Sequence, residues 1–273
     1  MRHARNGRRV KGQMTGLTDM RAMAAIFFLA AAVQPAWAQD TAGTSDPMRE
    51  RLSAEKVGDV ETGNFSAGET LSFTLQPYGD KYLLRFTDSP ERYVLSVQRS
   101  FLGGRTLRYD TGATALRVSV WGGMTLYTTV APGGLPATRT GDDEAGARAP
   151  VSREDLMAAL SDEERHLAYI QNIHIRFSAD PAVLSAKDVG LAFDALVSAE
   201  AGLEKLIAAP GGRAALAGHF DSVRLSFSAK PSVTVSGKTL VVGFAPNAGA
   251  AGRASSREVA MELGKMLQIA EAG

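Results

Sequence analysis

The sequence predicts an α+β protein. An N-terminal antiparallel β-meander, closing as a small sandwich or barrel, precedes a helix-rich α+β domain with a small antiparallel sheet. Three observations carry this. Residues 82–130 alternate apolar and polar side chains in short runs broken by turn residues, the period of half-buried strands. Residues 131–150 hold three prolines, four glycines and mixed charge, which reads as a linker. Beyond them stand four Ser-x-x-acid boxes, Ser152/Asp155, Ser161/Glu164, Ser185/Asp188 and Ser255/Glu258. In such a box serine and acid each satisfy an orphan backbone N–H, so it marks a helix start.

The chain begins with a segment set apart from either domain. Ala22 to Val33 is an unbroken apolar run of 12, preceded by basic residues and followed by Ala36-Trp37-Ala38. This is the charged region, apolar core and small-residue cleavage site of a secretory signal peptide over 1–38. The run is too short to span a bilayer, and Met1, Met20 and Met23 are all candidate starts. The expected location is periplasmic or secreted, after cleavage near Ala38.

Without that segment the formal charge of +1 becomes −4, with 24 basic and 28 acidic groups remaining. A global nucleic-acid-binding charge is therefore absent. Cysteine is also absent, which excludes disulfides, thiolate chemistry and cysteine-ligated metal. No later segment is apolar enough for a transmembrane helix, and the sequence leaves the oligomeric state open.

Residues 39–64 are a polar segment in which Asp46-Pro47 can start a short helix. The β domain spans 65–130, opening with a strand through Leu71, Phe73 and Leu75. In 82–87, Tyr82, Leu84 and Phe86 share a face; in 92–99, Tyr93, Leu95 and Val97 do so; in 114–121, Leu116, Val118 and Val120. The turns between them are too short for helical crossovers, so the sheet is antiparallel. In 151–273, apolar residues at helical spacing predict helices over 186–208 and 256–270. Alternation predicts strands through Ile173, Ile175 and Phe177 and through Val223, Leu225 and Phe227. A hairpin is expected over 232–236 and 239–244, about Ser236-Gly237-Lys238.

Several phrases together resemble a family of exported alphaproteobacterial proteins with a domain of unknown function. They are Leu83-Leu84-Arg85-Phe86-x-Asp88-Ser89-Pro90-Glu91, Leu116-Arg117-Val118 running into Gly122-Gly123-Met124-Thr125-Leu126-Tyr127, Gly133-Gly134, and Ala251-Gly252-Arg253-Ala254-Ser255-Ser256. Ala254 stands where the family carries proline. The resemblance implies export and this layout, and brings no activity, cofactor or catalytic residue.

Motifs of chemical interest are few. Asp110-Thr111-Gly112-Ala113 matches the signature of retroviral-type aspartic proteases, in which two carboxylates share a proton. Arg108 and Tyr109 precede it where apolar residues belong, and Val241-Val242-Gly243 lies about 130 residues on. A tight hairpin turn is the stronger reading, with Asp110 kept as a catalytic candidate. Ser236-Gly237-Lys238-Thr239 resembles the end of a phosphate-binding loop, but a strand follows it and Ser232 replaces the first glycine. Ser53-x-x-Lys56 lacks the other penicillin-recognising motifs. His166, His174 and His219 match no zinc spacing. No metal site and no cofactor are expected.

Residues 80–120 hold seven basic groups against four acids, interleaved with tyrosines and Trp121. Arg85 and Arg117 lie opposite the apolar strand face. With Trp121 they form the candidate binding surface for an anionic envelope glycan or lipid headgroup, by bidentate contact and stacking. A protein partner is the other expected occupant. The sequence thus predicts a non-catalytic binding or structural protein of the cell envelope, with a hydrolase using Asp110 as the alternative.

Overall fold

The structure is a computed structural model that describes residues 59–100, 103–143, 149–186 and 189–269. The expected signal peptide, the expected Asp46-Pro47 helix and Ser53/Lys56 lie outside the described residues, as do Asp188 and residues 144–148 of the expected linker. Eight antiparallel strands come first: β1 (Gly63–Ala67), β2 (Leu71–Tyr78), β3 (Lys81–Phe86), β4 (Arg92–Arg99), β5 (Arg105–Arg108), β6 (Thr114–Val118), β7 (Met124–Leu126) and β8 (Leu135–Gly141). Each pairs with the next, and β1 also pairs with β8. The meander is therefore a closed up-and-down barrel, which leaves no open edge.

Closure needs a strand that the sequence placed in the linker. β8 reads Leu-Pro-Ala-Thr-Arg-Thr-Gly and has little apolar periodicity. Pro136 faces Thr125 of β7 in the register, although proline removes a ladder donor. At the seam Gly63 takes φ 128°, and a Cβ there would lie 2.4 Å from the Gly141 carbonyl oxygen. Only glycine lets the first and last strands approach this closely.

Eight strands leave an interior just wide enough for side chains. Phe73, Leu75, Leu84, Leu95, Leu107, Leu116 and Leu126 are fully buried in the barrel. A file of ring contacts runs through it, Phe65–Phe73–Phe86–Tyr93–Tyr109, with neighbouring centroids 5.2–6.3 Å apart.

The second part has its own core. Its helices are α1 (Arg153–His166), α2 (Pro181–Leu184), α3 (Gly190–Ala208), α4 (Gly212–His219) and α5 (Ser256–Leu267), with a π-turn at Leu167–Gln171 and a 3₁₀ stretch at Pro246–Gly252. Its strands are β9 (Arg176–Ala179), β10 (Ser222–Phe227), β11 (Ser232–Ser236) and β12 (Thr239–Phe244), in the order β11-β12-β10-β9. The expected hairpin is present, as β11 and β12. The expected antiparallel sheet is not: β10 runs parallel to both β12 and β9. Two connections explain this. Helices α2 to α4 lie between β9 and β10 and supply the crossover a parallel pair needs. β11 takes the outer position, so β12 returns beside β10 in the same direction.

Ser152 caps α1 through a complete capping box. Ser161 starts no helix, because α1 runs through it. α3 begins at Gly190, with no side-chain cap. α3 and α5 cross at Gly202, where a Cβ would sit 2.6 Å from Val259 Cγ1 and 3.1 Å from the Ser256 carbonyl oxygen. Gly202→Ala should therefore cost about 2 kcal/mol of overpacking, although alanine is the better helix former. Chemical denaturation checks this, and an unchanged or raised midpoint would show that the helices can part freely.

Barrel and α+β part belong to one compact unit, residues 45–273. None of the helices among the described residues is long and apolar enough to cross a membrane.

Candidate functional site

The two parts meet where the turns after β3 and β5 present one acid each to the N-terminus of α5. Ser255 is the N-cap, and its hydroxyl accepts from the Glu258 N–H at 3.3 Å. A complete capping box would return the Glu258 carboxylate to the Ser255 N–H. Instead Asp110 takes that N–H at 2.7 Å (Oδ2) and the Ser255 hydroxyl at 2.7 Å (Oδ1). Glu91 does the same one residue on, accepting from the Ser256 N–H at 2.7 Å and from its hydroxyl at 2.5 Å. Two carboxylates thus sit at the positive end of a helix dipole and satisfy its orphan donors.

Around this junction the polar groups are densely interlinked. Lys205 of α3 donates to Ser256 Oγ at 2.5 Å, and the Tyr93 hydroxyl lies 3.2 Å from the same atom. Desolvation lowers the pKa of Lys205, while Glu91 pulls it back up. Burial raises Tyr93 and Tyr109. Arg257 stacks over the Tyr109 ring, 4.2 Å from its centroid. Arg253, 6% exposed, donates to Ser198 Oγ at 2.5 Å and to the Arg92 carbonyl oxygen. Arg92 in turn pairs with Asp194 of α3 at 2.6 Å. Ser256 beside a lysine has the look of an activated nucleophile. It is 0% exposed, and its hydroxyl is already engaged by Glu91 and Lys205. The cluster is a lock between the two parts.

Beside the lock lies a hollow of about 210 Å³, walled by Lys81, Val94 and Ser96 on the outside of the barrel and by Ser232, Val233, Arg253, Ser255 and Glu258 opposite, with Asp110 at the junction. Because Asp110 has displaced Glu258 from the capping bond, Glu258 Oε2 is buried with no hydrogen-bond partner. Burial first, then the charge of Asp110, raises the Glu258 pKa. Such a carboxyl holds its proton more readily than a free one, and Glu258 forms part of the wall of the hollow.

The expected site residues fall as follows. Asp110 lies in the turn between β5 and β6, closed by the Tyr109 N–H to the Ala113 carbonyl at 2.9 Å, with Gly112 at φ 82°. Arg85 is exposed on β3, opposite Arg92 in the register. Arg117 is exposed on β6 and lies 5.3 Å from the centroid of the Tyr127 ring. Trp121, in the turn after β6, is 82% exposed. β4 and β5 separate β3 from β6, so Arg117 and Trp121 are near in sequence while Arg85 stands apart. His166 pairs with Glu204 at 3.2 Å, His219 meets the Ala215 carbonyl, and His174 is exposed. Among the described residues no group of three or more His, Asp or Glu is placed to hold a metal ion.

Sequence reasoning missed Glu91, Lys205, Arg253 and Glu258 as members of one site. The Asp110 turn, the phrases ending in Glu91 and holding Arg253-Ala254-Ser255-Ser256, and the Ser255/Glu258 spacing each touched this site without joining its members. Comparison with curated proteins and with solved structures returned no match. The family model for the domain of unknown function DUF4908 matches residues 47–263, spanning barrel and α+β part alike, and the chain belongs to that family.

Proposed function

We propose that the protein is a non-catalytic binding protein of the cell envelope whose ligand site is the hollow beside the α5 N-terminus. The observation that carries this is the buried, unpartnered Glu258 Oε2 in a cleft that also holds Lys81 and Asp110. A buried acceptor without a partner costs free energy that a ligand donor recovers. The ligand therefore presents a hydrogen-bond donor, and an amine fits the Glu258 and Asp110 carboxylates, with Lys81 and Arg253 on the walls left to face an accompanying anionic group. The signal peptide expected over 1–38 and the resemblance to exported proteins support the envelope location. Amine-bearing headgroups and amino sugars of the envelope have the required chemistry.

Ethanolamine titrated to millimolar concentration should shift the amide resonances of Ser255 to Glu258 and of Lys81. Glu258→Gln should weaken that binding roughly tenfold or more, since a hydrogen bond to a charged group contributes about 1.5–3 kcal/mol. Shifts confined to other surfaces, or equal affinity in Glu258→Gln, would sink the idea.

A hydrolase reading of the same cleft rests on the raised pKa of Glu258, a general acid opposite the Asp110 carboxylate. Against it, both Asp110 oxygens already accept from Ser255. Hydrolysis of chromogenic glycosides or peptides that vanishes in Asp110→Asn would favour this reading over simple binding.

A further inference from the structure

The hollow at Glu258 has a neighbour. Val233 of β11 also walls a second hollow of about 470 Å³, lined chiefly by Phe220, Val235, Met266 and Leu267. The two differ in chemistry: the first is charged and hydroxyl-rich, the second largely apolar. Both lie along α5, with Glu258 in its first turn and Met266 in its last. Eight residues of helix separate those two side chains by about 12 Å. Val235 is 43% and Met266 38% exposed, so among the described residues the apolar hollow is open to solvent. β11 is the edge strand of its sheet, so no further strand flanks the second hollow on that side.

We propose that the ligand of the cleft is a single-chain amphipath, with its amine-bearing head against Glu258 and its aliphatic tail laid along α5 over Val233 toward Met266. This rests on the binding reading given above and adds the class of ligand. A wholly polar ligand leaves the apolar hollow wet. A wholly apolar one leaves Glu258 Oε2 unpaired. Only a molecule with a donor at one end and a chain at the other answers both. The 12 Å between the two ends corresponds to a tail of roughly eight to ten carbons. Lys81, on the barrel wall of the first hollow, offers a contact to an anionic group adjoining the amine, as in a zwitterionic headgroup.

The test is calorimetric titration of the full chain with ethylamine, butylamine, octylamine and dodecylamine, each below the concentration at which it forms micelles. Affinity should rise roughly three- to fourfold per methylene up to about ten carbons and then level off. Met266→Glu should flatten that rise, and Glu258→Gln should weaken every member of the series by a common factor. Binding that is independent of chain length would overturn the amphipath while leaving the Glu258 site standing. The same steep rise in Met266→Glu would place the tail elsewhere and also overturn it. Failure of every amine to bind, ethylamine included, would remove the underlying reading as well.

Discussion

Replacing Glu91 by alanine should destabilise the protein by about 3 kcal/mol, the largest effect of any single polar side chain in the lock. Glu91 is 2% exposed and accepts both the N–H and the hydroxyl of Ser256. Its loss leaves an orphan donor at the buried first turn of α5 and takes from Lys205 the acid that most favours its charge. Breaking a buried pair by removing one partner typically costs 3–5 kcal/mol. The lower end applies because Lys205 lies at the exposed side of α3 and can turn toward water. Urea denaturation with far-ultraviolet circular dichroism reads the loss. Glu91→Gln keeps one acceptor and should recover about half of it. A loss below about 1 kcal/mol in Glu91→Ala would mean that the junction is only a surface contact.

Glu163→Gln should abolish a pH dependence worth on the order of 3 kcal/mol. Glu163 on α1 is 4% exposed, and its Oε1 has no partner. Burial, then the charge of Glu200 and a hydrogen bond to it, then Glu204, raise its pKa to about 8. In the unfolded chain it titrates near 4.5. Between these values the folded state holds a proton that the unfolded state has lost. The contribution is therefore fully present below about pH 4.5 and is lost as pH rises to about 8, at a limiting slope near 1.4 kcal/mol per unit. Glutamine has no proton to lose. The variant and the parent should melt alike at pH 4.5, and the variant should be the more stable at pH 8. Parallel melting curves for the two proteins across that range would refute the buried proton.

Strand positions were legible where periodicity was strong. The strand at Arg92–Arg99 has the bounds that alternation predicted, and the hairpin about Gly237 is present. What escaped was which strands close the barrel. β7 has three residues and β8 carries proline and glycine; their pairing comes from neighbours across the barrel and leaves no local pattern. The direction of β10 escaped for a similar reason, since strand alternation is blind to whether a partner runs parallel. The site was less legible still. Asp110 drew notice for a protease signature, and its partner Ser255 for a capping box, yet nothing local joined two residues 145 positions apart. The box itself misled in an informative way: its acid was freed because a carboxylate from the barrel took its place.

That substitution has a consequence for how the chain is made. α5 is synthesised after the barrel, and the donors of its first turn are answered by acids synthesised 145 and 165 residues earlier. A nascent chain that stops before Ser255 has a barrel whose two acidic turns face no helix. In a free α5 the barrel acids are absent, and Glu258 is again available to cap the Ser255 N–H. Docking α5 therefore closes a very long loop, and loop-closure entropy makes such contacts slow to form. Native α5 protection in hydrogen exchange should appear after the barrel's own, so the hollow beside Glu258 takes shape only once α5 has docked.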